Sequence, residues 1–271
     1  MDETRSSILW KSIGATAVVL VGAAAVVGGY YWRQHASEAS PAAPAETPAP
    51  APAPPPAAPQ AESEVLYPID EKDSDHTTTL EQSDAKLLEA FTHLQGWQAS
   101  ALRLLLPTDL VRHIVATIDG LSHEKVALQV LPTRPVPGLL LVTGPASKAT
   151  IAPANARRYS PYVQALAAVD TAQLVALYRH FYPLFQQAYR ELGYPKGYFN
   201  DRLVEVIDDL LEAPEPKPPI AVVAPRAMFH FVDPDLEALP YGQKILVRVG
   251  LPQEAAIKVK LREIRQAVTA H

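Results

Sequence analysis

Eight residues of this chain combine reactive side chains with spacings that could bring them together: Tyr178, His180, Tyr182, Tyr194, Tyr198, Asn200, Asp201 and Arg202. They lie in a stretch dense in rings, since residues 159–199 hold seven tyrosines and three phenylalanines. Phe181, Tyr182, Phe185 and Tyr189 follow Tyr178 at offsets of 3, 4, 7 and 11, the spacing of one helical face. Such a face is either a groove for a glycan strand or partner peptide, or a core in which tyrosine hydroxyls find buried partners; core packing is the commoner outcome. Past it, Gly, Pro, Asn, Asp and Arg gather on a turn from Tyr194 to Arg202, the kind of place where binding residues are presented. The same residues also read structurally, with Asn200 as a helix cap and Asp201 and Arg202 as a charge cluster.

Asp201, Glu205, Asp208 and Glu212 line one helical face. Paired carboxylates act as acid and base or hold a divalent cation. Like charges at that spacing repel, so solvent must offset them, or salt bridges to Arg179, Arg190 or a terminal basic helix carrying Lys258, Lys260, Arg262 and Arg265. The eight histidines are scattered without the spacing of a helical zinc site, and His180, beside the aromatic face, is the one to inspect. The chain has no cysteine, which excludes thiol nucleophiles, cysteine–zinc sites and disulfides. Ser83–Lys86 and Ser122–Lys125 match S-x-x-K, but the S-D-N and K-T-G elements of serine acyl-enzymes are missing. No P-loop, G-x-S-x-G or dinucleotide fingerprint occurs, and the net charge of −5 argues against nucleic acid as a partner. The expectation is a domain without catalytic residues, metal or cofactor.

Helices must position these side chains. Ser83 caps a helix that closes at Gly96, and Pro107-Thr108-Asp109 starts a second one through Leu121. Leu139–Thr143 and Lys148–Ala152 flank Gly144-Pro145-Ala146-Ser147 as a hairpin. Ser160-Pro161 opens a helix, followed by a long one from about Thr171 to Leu192 that Pro183 should kink. Asn200 caps the next, with Leu203, Val206, Ile207, Leu210 and Leu211 as its apolar face. Ile220–Ala224 and Ala227–Val232 read as extended, Asp233-Pro234 as a short helix, and Leu251-Pro252 as the start of the terminal basic helix.

The N-terminal part is of another kind. Twenty residues from Ile13 to Trp32 carry no charge, and as a helix they reach about 30 Å, the thickness of bilayer hydrocarbon. Trp10 and Lys11 collar one end and Tyr30, Tyr31, Trp32 and Arg33 the other. Arg5 and Lys11 precede the span, so the positive-inside rule places the N-terminus in the cytoplasm and the domain outside. Gly22, Ala25, Gly28 and Gly29 let two such helices approach, so a weak helix-mediated dimer is a candidate association. Nine of the 27 prolines fall between residues 41 and 59, where no apolar face can form and polyproline geometry extends the chain. An acidic shoulder follows from Glu62 to Glu89, read as a solvated, mobile charge run.

Leu177-Tyr178-Arg179-His180-Phe181-Tyr182-Pro183-Leu184-Phe185, Ala188-Tyr189-Arg190-Glu191-Leu192-Gly193-Tyr194-Pro195 and Gly197-Tyr198-Phe199-Asn200-Asp201-Arg202-Leu203 resemble the bacterial membrane-protein family known as domain of unknown function 3014. The likeness continues through Val206-Ile207-Asp208, Asp233-Pro234, Gly242-Gln243-Lys244 and Leu261-Arg262-Glu263-Ile264-Arg265, and back to Tyr159-Ser160-Pro161-Tyr162. It covers most of residues 85–270 and implies the same layout of anchor, Pro-rich spacer and C-terminal domain. It brings no activity, cofactor or catalytic residue to transfer. The expected fold class is therefore mainly α: a transmembrane anchor (1–33), a disordered Pro/Ala-rich and acidic linker (34–80), and one helical domain (81–271) with a small β-hairpin. The expected function is that of a single-pass protein of the bacterial inner membrane, whose periplasmic domain binds a protein or envelope polymer without catalysis. The alternative is a hydrolase-like enzyme acting on an envelope substrate through residues near 194–208.

Overall fold

Helical periodicity in the chain closes into packed helices because each apolar stripe can escape water only against another. A computed structural model describes residues 64–97, 99–225 and 228–270; the proposed anchor and the Pro/Ala spacer lie outside the described residues. Among the described residues no helix is long and apolar enough to cross a membrane. In chain order the helices are α1 (Ser83–His93), α2 (Ala99–Leu102), α3 (Leu110–Leu121), α4 (Ser160–Ala168), α5 (Thr171–His180), α6 (Tyr182–Glu191), α7 (Phe199–Leu211), α8 (Pro234–Glu237), α9 (Tyr241–Val249) and α10 (Leu251–Thr269).

Leu110, Val111, Val115, Ile118 and Leu121 of α3 are buried, as are Phe199, Leu203, Val206, Ile207 and Leu210 of α7. Ile257, Leu261, Ile264 and Val268 complete the set on α10. Each such side chain contributes about 1.5–3 kcal/mol on burial. The spine is α10, packed on α4, α5, α7 and α9, while α3 packs on α6 and α7. Gly242 marks a close approach of helices, since a Cβ there would meet Leu210 at 2.5 Å and the Leu121 carbonyl at 3.1 Å.

The expected hairpin is present as β1 (Val142–Thr143) and β2 (Ala149–Ile151). It is extended by β3 (Ala221–Val223) and β4 (His230–Phe231) into an antiparallel sheet of order β1-β2-β3-β4. Ala149 lies opposite Val222, and Val222 opposite Phe231. These three pack with Leu236 of α8 and Val247 of α9 into a second, smaller core. An isolated two-stranded hairpin is marginal in water; two more strands and a helix supply the burial it needs.

Several local expectations are corrected. The single helix expected from Thr171 to Leu192 is two, α5 and α6, joined at Phe181, with Pro183 in the first turn of α6. There its missing N–H is no loss. Ser83 lies inside α1 and donates to the Leu80 carbonyl at 2.7 Å. Asn200 does not cap α7: the capping position is Tyr198, and Asn200 lies in the first turn.

These helix ends are closed from across the fold. Asp84 of α1 accepts the N–H groups of Asp109 and Leu110, both at 2.8 Å, at the start of α3. Gln186 of α6 accepts the Phe199 N–H at 2.9 Å at the start of α7. At the other ends, Lys258 and Lys260 of α10 donate to the carbonyls of Ala213 (2.6 Å) and Val169 (3.0 Å), just past α7 and α4. Arg179 of α5 donates to the carbonyls of Ala267 (2.8 Å) and Ala270 (3.0 Å), closing α10. Each removes an orphaned backbone group, and the cations also oppose the negative end of a helix dipole. Lys258 and Lys260, members of the expected basic terminal helix, are buried for this reason.

Candidate functional site

The eight candidate residues meet around the start of α7, but they do not converge on one point. Successive residues of a helix point about 100° apart, so Asn200, Asp201 and Arg202 leave α7 in different directions and make separate clamps.

The first clamp holds an N-terminal strap, residues 66–79. Asp201 accepts the N–H groups of Leu66 (3.0 Å) and Tyr67 (2.8 Å). Asn200 donates to the carbonyls of Tyr67 (2.9 Å) and Val268 (3.2 Å), and its own oxygen accepts the Tyr178 hydroxyl at 3.2 Å. Farther along, the Asp75 N–H donates to the His180 carbonyl (2.7 Å) and the Ser74 hydroxyl to that of Arg179 (2.7 Å). His180 Nδ1 lies 2.8 Å from the Asp73 carbonyl, and the ring meets Phe181 edge-on. Hydrogen bonds from Thr77 and Thr78 hold the Asp75 carboxyl well below the usual carboxylate range. Tyr67 and Ile69 pack on the main core. The mobile charge run expected here is thus corrected: side chains of α7 give the strap's backbone the partners that water would otherwise supply. Asp201→Ala is expected to release it, lowering hydrogen-exchange protection of the Leu66 and Tyr67 amides by about tenfold, the worth of one charge-assisted bond. Protection at Val206 and Ile207 should persist; equal loss at both places would show general destabilisation instead.

The second clamp is aromatic and internal. Tyr182 donates to Gln186 at 3.0 Å, and Gln186 donates to the Gly197 carbonyl at 2.8 Å, seating the turn that opens α7. Phe185 stacks on Phe199 with ring centres 5.8 Å apart, and Tyr178 meets Phe185 edge-on. The aromatic face is core, as the commoner reading had it. Burial pushes Tyr182 and Tyr189 up to about 12 and Tyr178 well above its ordinary value. These hydroxyls remain protonated far above neutral pH.

The third clamp is charged. Arg202 Nε donates to Asp119 Oδ1 at 2.8 Å, and Nη2 donates to the Asp119 carbonyl at 2.9 Å. Nη1 reaches Glu205 at 2.9 Å. The Tyr194 hydroxyl donates to Asp119 Oδ2 at 3.2 Å, and its ring stacks on Tyr189 at 4.6 Å. Tyr198 joins through its backbone, its carbonyl accepting the Arg202 N–H. Asp119 and Gln186 are the partners that sequence reasoning missed. A carboxylate between Ile118 and Leu121, inside an apolar stripe, was the available signal, because a buried charge requires a partner.

The acidic face of α7 is likewise engaged piecemeal: Asp201 accepts N–H groups of the strap, Glu205 pairs with Arg202, and Asp208 with Arg265 of α10. Among the described residues no group of three or more acidic or histidine side chains is placed to hold a metal ion. Two concavities stand out among the described residues. One is an open polar groove beside Gly96 and Asp170, where Lys260 pairs with Glu263 and Thr171. The other is an apolar cavity of about 100 Å³ where α1, α3, α5, α7 and α10 meet.

These features define a helical-bundle domain with a lateral antiparallel sheet, whose conspicuous polar residues serve as interhelical clamps. Residues 110–265 match the model of the family described as Protein of unknown function (DUF3014), more than half of the 271-residue chain. The chain belongs to this family. Neither the curated proteins nor the solved structures offer a match.

Proposed function

We propose that this is a non-catalytic binding protein of the bacterial envelope. Residues 13–32 anchor it in the inner membrane with the N-terminus cytoplasmic, the spacer holds the domain away from the bilayer, and the domain binds a protein or envelope polymer. The observation carrying this reading is that the residues best suited to chemistry are consumed in holding the fold. Asp201, Asp119 and Arg202 have internal partners. The buried tyrosines are shifted away from the range useful in acid–base catalysis at neutral pH. Support for binding comes from Leu141, Val223 and Val232, apolar side chains exposed in or next to β1, β3 and β4 and available for contact with another molecule.

Proximity crosslinking of the full chain in native membranes tests the proposal, with a specific envelope partner as the expected product. No partner, together with processing of a cell-wall fraction by the purified protein, would favour the hydrolase-like alternative near residues 194–208. A C-terminal reporter that fluoresces in the cytoplasm and lacks exported-phosphatase activity would overturn the orientation.

A further inference from the structure

We propose that the apolar cavity between α1, α3, α5, α7 and α10 binds a small hydrocarbon group, a single aromatic ring or an alkyl segment of similar size. Its volume of about 100 Å³ approaches the roughly 150 Å³ of an engineered protein cavity that stays dry and takes up benzene or xenon. Hydrocarbon dominates its wall, with Leu87 and Phe91 from α1, Ile114 and Ile118 from α3, Leu174 from α5 and Ile264 from α10. The polar group of the lining is the Tyr178 hydroxyl, and it already donates to Asn200. A buried water needs two to four polar partners, which this wall does not supply. A charged ligand finds no counter-ion among the lining residues. An apolar group meets neither obstacle and restores the dispersion contacts that a void lacks.

The exposure pattern supplies a route of entry. Leu87, Ile118, Phe199 and Val268 are buried and form the floor. Ile114, Leu174 and Leu177 are partly exposed, which puts the mouth between α3 and α5. The ligand is either a free small molecule or the end of an acyl chain entering tail first. The two share their chemistry and differ in length.

The test uses the full chain in lipid nanodiscs with ¹³C-labelled methyl groups, titrated separately with benzene and with octanoate. Benzene is expected to shift the Ile118, Leu174 and Ile264 methyl signals saturably and to raise the melting temperature by several degrees. Saturation by octanoate as well identifies chain ends as ligands; saturation by benzene alone identifies a free small molecule. Ile118→Phe fills the space and should weaken binding roughly tenfold or more. Leu174→Phe, at the mouth, serves if that variant does not fold. Absence of saturable shifts with both ligands, or binding unchanged in a folded variant, overturns the proposal.

Discussion

Arg202→Leu is expected to destabilise the domain by about 3 kcal/mol, the low end for removing one partner of a buried ion pair. The Arg202 and Asp119 side chains are 13% and 8% exposed, so water cannot take over the vacated bonds. The substitution strands the Asp119 carboxylate and carbonyl and leaves the hydroxyl of Tyr194 as their remaining side-chain donor. For a domain of this size the loss corresponds to a fall of about 6–12 °C in melting temperature. The double variant Asp119→Leu/Arg202→Leu should recover part of it, because removing the carboxylate together with the arginine leaves no buried charge without a partner. If the two substitutions add without recovery in thermal or urea melts, the pair does not act as a unit and the clamp assigned to it is wrong.

A similar loss, about 3 kcal/mol, is expected for Lys258→Met, with a pH signature of its own. The Lys258 ammonium lies 2.9 Å from Glu254 and 2.9 Å from Glu215, and donates to the Ala213 carbonyl. Glu254 is 1% exposed, so the Lys258 ammonium 2.9 Å from its Oε1 is what keeps its charge tolerable. Burial already pushes the Glu254 carboxyl up from its ordinary value of 4.5, and removing the lysine pushes it further. A carboxyl raised in the folded state binds its proton more tightly there than when unfolded. Its stabilising contribution is therefore complete below about pH 4.5 and disappears as pH rises through the folded value. The deficit of Lys258→Met against wild type should be greatest near neutral pH and shrink as pH falls toward 4. Adding Glu254→Gln should flatten the curve. A deficit independent of pH would show that packing, and not the stranded carboxylate, sets the cost.

These two sites also mark where sequence reading stops. Tyr194 and Arg202 were recognisable as an unusual polar group on a turn, yet the residue joining them, Asp119, lies 75 and 83 positions away. Asp208 and Arg265 were each visible, and their pairing was among the alternatives left open. Glu254 and Lys258, four residues apart on an amphipathic helix, look like any surface pair, and burial makes them something else. The strap was misread for a related reason. Its charges predict solvation, and it is held in place by tertiary contacts: Asp201 on Leu66 and Tyr67, Asn200 on Tyr67, and the carbonyls of Arg179 and His180 on Ser74 and Asp75.

What the chain determined alone was local: apolar stripes of α3 and α7, the hairpin turn at Gly144, and a family signature from Tyr159 to Arg265. Helical period and turn chemistry act over a few residues, so they can be read without knowing what lies nearby. Only the tertiary structure decided which groups close the helix ends. Asp84, Gln186, Arg179, Lys258 and Lys260 each serve the end of a helix other than their own, and at the start of α7 Gln186 takes the place expected for Asn200. An orphaned backbone group accepts any partner of suitable charge and reach, and which one arrives depends on how whole helices dock against one another.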